Sequence, residues 1–180
     1  MKNLILLFSL VFSSLVTSAQ TMIFANEFQS FEINYPETWK LSEYIMDEVA
    51  FAAYNPHTIT PAYHETVNVK VMNTYSSDLL LCSRASVDML KERLQGFELL
   101  NTEETVIGGN HVIAIEYQHF IPKSKEIKKK IKLRSKTYIL VKDRKEYLIT
   151  YSADRKAFDQ SFPEFKRMME SFRFIFKLNA

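Results

Sequence analysis

The side chains of this chain best suited to proton or metal chemistry near neutral pH are its four histidines, His57, His64, His111 and His119. His57 and His64 share a stretch with Pro56, Pro61, Thr58 and Thr60, which is loop chemistry, and the same stretch carries Tyr54, Tyr63 and Glu65. A loop that folds back on itself would gather these groups, so one alternative is a metal-assisted hydrolase using the loop histidines with Glu65. Zinc takes three or four converging ligands, and the spacing matches no zinc pattern. We therefore assign no metal ligand and no catalytic residue, and read Tyr54, His57, Tyr63 and His64 as binding candidates on a loop held by a rigid sheet. His111 and His119 share strand parity with Ile113, Ile115 and Tyr117, which places them at the ends of a buried face.

The second chemical feature is electrostatic. Lys123, Lys125, Lys128, Lys129, Lys130, Lys132, Arg134 and Lys136 crowd one segment that contains a single acid, Glu126. On a strand, Lys130, Lys132, Arg134 and Lys136 fall on one face, and Ile131, Leu133 and Ser135 on the other. The binding candidates Lys130, Lys132 and Arg134 would form a stripe able to adhere to an anionic envelope component in a salt-sensitive way. The plain alternative is that these lysines keep an exposed strand from pairing edge to edge. Nucleic acid is a poor partner, because the stripe has no aromatics interleaved for base stacking.

Other chemistries lack their residues. Three glycines cannot build a phosphate-cradling loop, so no nucleotide cofactor, and no other cofactor, is expected. There is no GxSxG elbow, and the lone Cys82 has no thiol-nucleophile signature around it. The pairs Asp47/Glu48 and Glu103/Glu104 are adjacent in sequence, which sends their side chains to opposite faces of a strand. A glycosidase needs carboxylates that face each other across a cleft.

The elements that must position these residues follow from periodicity. Phe31, Ile33 and Tyr35 alternate up to Pro36, after the lead 20–30; 39–46 and 49–54 are further strand candidates, and 66–74 places Val67, Val69 and Val71 on one face. A helix is expected over 79–95, with Leu79, Ser86, Leu90 and Leu94 on a stripe flanked by Ala85 and Val87, and Gly96 at its end. Strands 97–107 and 111–120 form a hairpin around Gly108, Gly109 and Asn110, and 130–141 pairs with 146–153 around Asp143 and Arg144. Phe158, Phe162, Phe165, Met169 and Phe172 recur at helical spacing, and Ser161 with Glu164 reads as a capping box around Pro163. The expectation is α+β, one continuous antiparallel sheet with two main helices laid on it.

Lys2, the apolar run from Leu4 to Val16 and the small residues Thr17, Ser18 and Ala19 have the order of a signal peptide, residues 1–19, cut after Ala19. That run is short of a bilayer span and contains Ser9, Ser13 and Ser14, so a transmembrane anchor is not expected. The only cysteine lies far downstream, so neither is a lipid anchor. Residues 20–180 then form a single domain, exported to periplasm or medium. The full chain's 23 basic and 21 acidic residues, 22 and 21 once Lys2 of the leader is set aside, nearly balance, which implies no polyanionic partner.

The stretch Phe31-Glu32-Ile33-Asn34-Tyr35-Pro36-Glu37-Thr38-Trp39 resembles the opening of the PsbP-like superfamily, where an aromatic strand turns at proline and continues through tryptophan. Tyr147-Leu148-Ile149-Thr150-Tyr151-Ser152-Ala153, the Phe-rich helix and Ser171-Phe172-Arg173-Phe174 resemble its ending, and Asn68 stands where many bacterial members have asparagine. The resemblance implies an α/β/α sandwich around a central antiparallel sheet. It carries no shared catalytic residues, since the superfamily spans photosystem II extrinsic subunits, a nuclear-transport cofactor and bacterial envelope proteins. The expected role is that of a noncatalytic binding or accessory module for an unknown protein or envelope component.

Overall fold

The computed structural model describes residues 20–43, 48–58, 63–123 and 129–175. The expected signal peptide, the end of the 39–46 strand candidate, residues 59–62 of the histidine loop and Lys125 and Lys128 of the basic run lie outside the described residues. The elements run β1 (Thr21–Asn26), β2 (Phe31–Pro36), β3 (Lys40–Leu41), β4 (Val49–Tyr54), β5 (Thr66–Asn73), α1 (Leu79–Arg93), β6 (Glu98–Ile107), β7 (Asn110–Ile121), β8 (Ile131–Lys142), β9 (Lys145–Asp154), α2 (Phe158–Ser171) and β10 (Arg173–Phe174).

A seven-stranded sheet of order β3-β4-β5-β9-β8-β7-β6 forms the middle layer, and every paired neighbour in it is antiparallel. Because side chains alternate across a strand, this sheet has two inward surfaces. One carries Val69, Ala114, Tyr138 and Tyr151 beneath Phe158, Phe165 and Met169 of α2. The other carries Ile113, Ile115, Ile139 and Leu148 beneath Leu79, Val87 and Leu90 of α1. The result is the α/β/α sandwich expected from the resemblance.

The expectation of one continuous sheet is corrected: β1, β2 and β10 form a second, three-stranded sheet on the α2 side. Residues 21–26 read as an irregular lead because their alternation is weak, with Met22 and Ile23 exposed. Backbone pairing makes them a strand all the same, with Phe24 opposite Ile33 and its ring against Phe31 and Phe51. Of the strand expected over 39–46, the described residues 39–43 form a strand only at Lys40–Leu41, while Trp39 turns into the core and donates from Nε1 to Glu164 Oε2 at 3.1 Å.

Both helices differ from expectation at particular residues. In α1, Ser86 is buried on the stripe as expected and Cys82 is buried too, but Ser83 is buried beside them and Ala85, expected to flank the stripe, is exposed. Asp78 caps it, accepting from the Leu80 and Leu81 amides. In α2 the capping box does not form: the helix starts at Phe158 after Ala157, and Ser161 and Pro163 lie inside it. Ser161 is drawn instead into a buried contact with Glu65.

The hairpin turns follow the sequence closely. Gly108 and Gly109 sit at φ +56° and +79°, and Asp143 and Arg144 at +50° and +59°, the left-handed pair that a two-residue hairpin turn requires. The two glycines are not equivalent. A Cβ on Gly108 would meet the Phe172 carbonyl oxygen at 2.6 Å, whereas one on Gly109 would meet nothing within 4 Å. Gly109→Ala is expected to cost about 1 kcal/mol for the left-handed backbone alone. Gly108→Ala adds a backbone clash and is expected to cost about 2 kcal/mol or more. Urea unfolding of the two variants checks the order; equal losses would mean that the close approach to Phe172 is not rigid.

Candidate functional site

Helix α1 lies against β7 and β8, with its apolar residues over Ile113, Ile115, Tyr117 and Ile139. Among the described residues no helix covers the β3–β5 end of the same face. A cavity of about 590 Å³ opens there, lined by Val49, Ala52, Tyr54, Tyr63, His64 and Asn68, among others. Small Ala52 on β4 and neighbouring Asn68 on β5 leave the floor low. The Tyr54 and His64 rings pack together at 5.3 Å, and the Tyr63 hydroxyl hydrogen-bonds Thr66 Oγ1 at 3.1 Å. Burial pushes the Tyr63 phenol pKa up, which keeps the group a neutral donor. Among the described residues no Asp, Glu, Lys or Arg lines the cavity.

Three of the four loop candidates, Tyr54, Tyr63 and His64, thus line one cavity, joined by Asn68 and Ser42. His57 is exposed at the turn, with its amide bonded to Asn55 Oδ1, and is not among the lining residues. Asn68 and Ala52 were not site candidates. Their strand parity with Tyr54 and Thr66 was readable, but which face the helix leaves open was not.

Glu65 does not join the histidines, which corrects the arrangement a hydrolase would need. It is 1% exposed, and its two carboxylate oxygens accept from Asn55 Nδ2 at 3.0 Å and Ser161 Oγ at 2.8 Å. Exposed His64 and buried Glu65 therefore point to opposite environments. Among the described residues no group of three metal-binding side chains converges.

Next to the cavity the sheet carries a buried row of hydroxyls. Ser135 Oγ and Ser152 Oγ are 2.8 Å apart, as are Thr137 Oγ1 and Thr150 Oγ1, and Tyr117 OH reaches Thr137 at 3.3 Å. His119 closes the row with Nε2 3.3 Å from Ser135 Oγ, and burial holds its pKa below the usual histidine range. His111, expected at the other end of the buried face, is exposed.

The basic stripe keeps its single face but not its free charge. Lys132 lies 3.9 Å from Glu98, Arg134 reaches Asp159 at 2.8 Å and also Glu116, and Lys136 reaches Glu103 at 2.7 Å. Arg134 further stacks over Phe158, so this face continues under α2. Lys130 lies just before β8 and rests over the Phe120 ring at 3.7 Å. The counter-charges come from β6, β7 and α2, strands and a helix that sequence spacing alone cannot place beside β8.

Comparison with known proteins gives fold-level matches only. No protein-family model matches the chain, and no curated protein matches it. Among solved structures, the cyanobacterial PsbP (CyanoP) of Synechocystis sp. PCC 6803 aligns with TM-score 0.59 at 16% identity, over 88% of this chain and 95% of that one. The Ran-binding protein Mog1p of Saccharomyces cerevisiae aligns with TM-score 0.60 at 13% identity, over 88% and 97% of the two chains. LpqN of Mycobacterium tuberculosis, described as involved in cell envelope biogenesis, aligns with TM-score 0.58 at 14% identity, over 81% and 83%. Among the described residues no helix is long and apolar enough to cross a membrane. With its antiparallel middle sheet, a helix on each face and these alignments over most of each chain, the protein has the PsbP-like fold.

Proposed function

We propose that this protein is a noncatalytic, exported binding module that receives an uncharged group of a partner in the cavity bounded by Tyr54, Tyr63, His64 and Asn68. The observation that carries the reading is the cavity itself: aromatic walls, a neutral amide and, among the described residues, no Asp, Glu, Lys or Arg, on a part of a rigid sheet that no described helix covers. Such a surface gains by burying apolar or ring-shaped groups and orients them with a few polar atoms. Two proteins of this fold support the same kind of role, one described as Ran-binding and the other as involved in cell envelope biogenesis. The leader-like residues 1–19 support placement in the periplasm or medium. N-terminal sequencing of protein from its native source is expected to begin at Gln20, and a retained leader would overturn the export part.

Filling the cavity tests the binding part. Ala52→Trp removes no hydrogen bond and occupies the floor, so a pull-down from the native envelope fraction is expected to lose whatever the unaltered protein retains. Loss with an unchanged unfolding midpoint supports the reading. Equal retention by the filled variant overturns it.

A further inference from the structure

A second surface, independent of the cavity, lies on the far edge of the sheet. Strand β6 is the terminal strand of the seven-stranded sheet, and its burial pattern is almost wholly exposed over ten residues. The opposite edge, β3, has only two. Long open edges are normally blunted by proline, by lysine or by a central bulge. The β6 sequence Glu98-Leu-Leu-Asn-Thr-Glu-Glu-Thr-Val-Ile107 has no proline, lysine or arginine, and its irregularity is confined to Leu99–Asn101. From Asn101 to Ile107 the register with β7 is unbroken.

The hairpin geometry says which groups face outward. In a two-residue turn the flanking residues, here Ile107 and Asn110, form the hydrogen-bonded pair, and bonded and non-bonded pairs then alternate along an antiparallel ladder. Thr102, Glu104 and Val106 therefore turn their N–H and C=O groups away from β7. Beside this open ladder Leu99, Leu100 and Val106 are 44%, 38% and 53% exposed. The strand's charges are all negative: Glu98 and Glu103 face Lys132 and Lys136 on one side of the sheet, and Glu104 on the other side has no ion pair among the described residues.

We infer that β6 receives an extended, lysine- or arginine-bearing segment of a partner protein, which adds an eighth strand to the sheet. Backbone bonds to Thr102, Glu104 and Val106 hold the segment, apolar side chains cover Leu99 and Val106, and its cations meet Glu104. A second copy of this chain fits poorly, because antiparallel self-pairing would bring one row of glutamates against another.

The probe is a synthetic peptide of about ten residues, matched to the strand length, whose one face carries valines flanking a single central lysine and whose other face carries threonine, with the lysine replaced by glutamate as control. The intact protein is expected to bind the lysine peptide, more weakly as salt rises, and to slow amide exchange at Thr102, Glu104 and Val106. Glu104→Lys is expected to reduce affinity for the lysine peptide by about tenfold, because it places like charges opposite each other. Thr102→Pro removes an outward donor while sparing the ladder to β7, and is expected to weaken binding at least as much. If Thr102→Pro fails to fold, Glu104→Lys with the exchange data decides. No binding of the lysine peptide, equal binding of the glutamate peptide, or self-association of the protein through β6 would overturn the inference. None of these results bears on the Ala52→Trp test, so the two surfaces fail or stand separately.

Discussion

Phe165→Ala is expected to lower the unfolding free energy by about 3–5 kcal/mol, the range for removing a fully buried aromatic side chain. Phe165 is 0% exposed and sits at the centre of the α2 face, with its ring stacked 5.0 Å from Tyr151 and tilted 5.7 Å from Tyr138. Truncation removes the burial, breaks both ring contacts and leaves a void between a helix and a sheet that cannot close on it. Domain stabilities are only about 5–15 kcal/mol, so this one change is expected to populate unfolded chains at moderate temperature. Phe162, packed on the same cluster but half-buried, is expected to cost less than half as much. Guanidinium unfolding checks both variants. A loss below about 1 kcal/mol for Phe165→Ala would mean that α2 does not pack as described.

Glu65→Ala is expected to cost about 3 kcal/mol, for a different reason. The carboxylate is the acceptor for Asn55 Nδ2 and Ser161 Oγ, and Ser161 Oγ in turn accepts from Tyr151 OH. This chain ties the start of β5 to the first turn of α2 through a residue 1% exposed to solvent. Removing the carboxylate strands Asn55 Nδ2 and leaves Ser161 Oγ only the Ala157 carbonyl oxygen at 3.1 Å to donate to, and a buried unsatisfied donor costs about 1–3 kcal/mol. Glu65→Gln keeps one acceptor oxygen and is expected to recover part of the loss. If both variants unfold like the unaltered protein, Glu65 is not the tie between loop and helix.

These two residues show how unevenly the sequence speaks. Phe165 belongs to a run of Phe and Met at helical spacing, so its burial follows from local periodicity and the helix has one face to hide. Glu65 sits in a loop beside two histidines, and proximity in sequence suggested shared chemistry. The fold separates them: the Glu65 side chain passes to the α2 face, while His64 stays at the cavity. Parity along an irregular segment is not fixed by the chain. Ser161 was misread for the same reason, because a serine before proline and glutamate satisfies the pattern of a cap whether or not a buried carboxylate claims its hydroxyl.

The basic segment makes the point with charge. Alternation correctly put Lys132, Arg134 and Lys136 on one face. Whether that face is a free cationic stripe depends on Glu98, Glu103, Glu116 and Asp159, which arrive from β6, β7 and α2. The pairing of strands is a long-range event, and a sequence read locally has no access to it.

What the sequence determined by itself was therefore the set of features with a short repeat: strand alternation, the two glycine- and aspartate-bearing hairpin turns, and the aromatic stripe of α2, whose buried face demanded a sheet. Each is set within a few residues by backbone sterics and side-chain spacing. The tertiary structure alone decided that β1, β2 and β10 form a second sheet, and that, among the described residues, α1 leaves the β3–β5 end of one face open and β6 has a strand on one side only. Those outcomes depend on which distant surfaces bury one another, and the cavity and the open edge exist only as what that packing leaves uncovered.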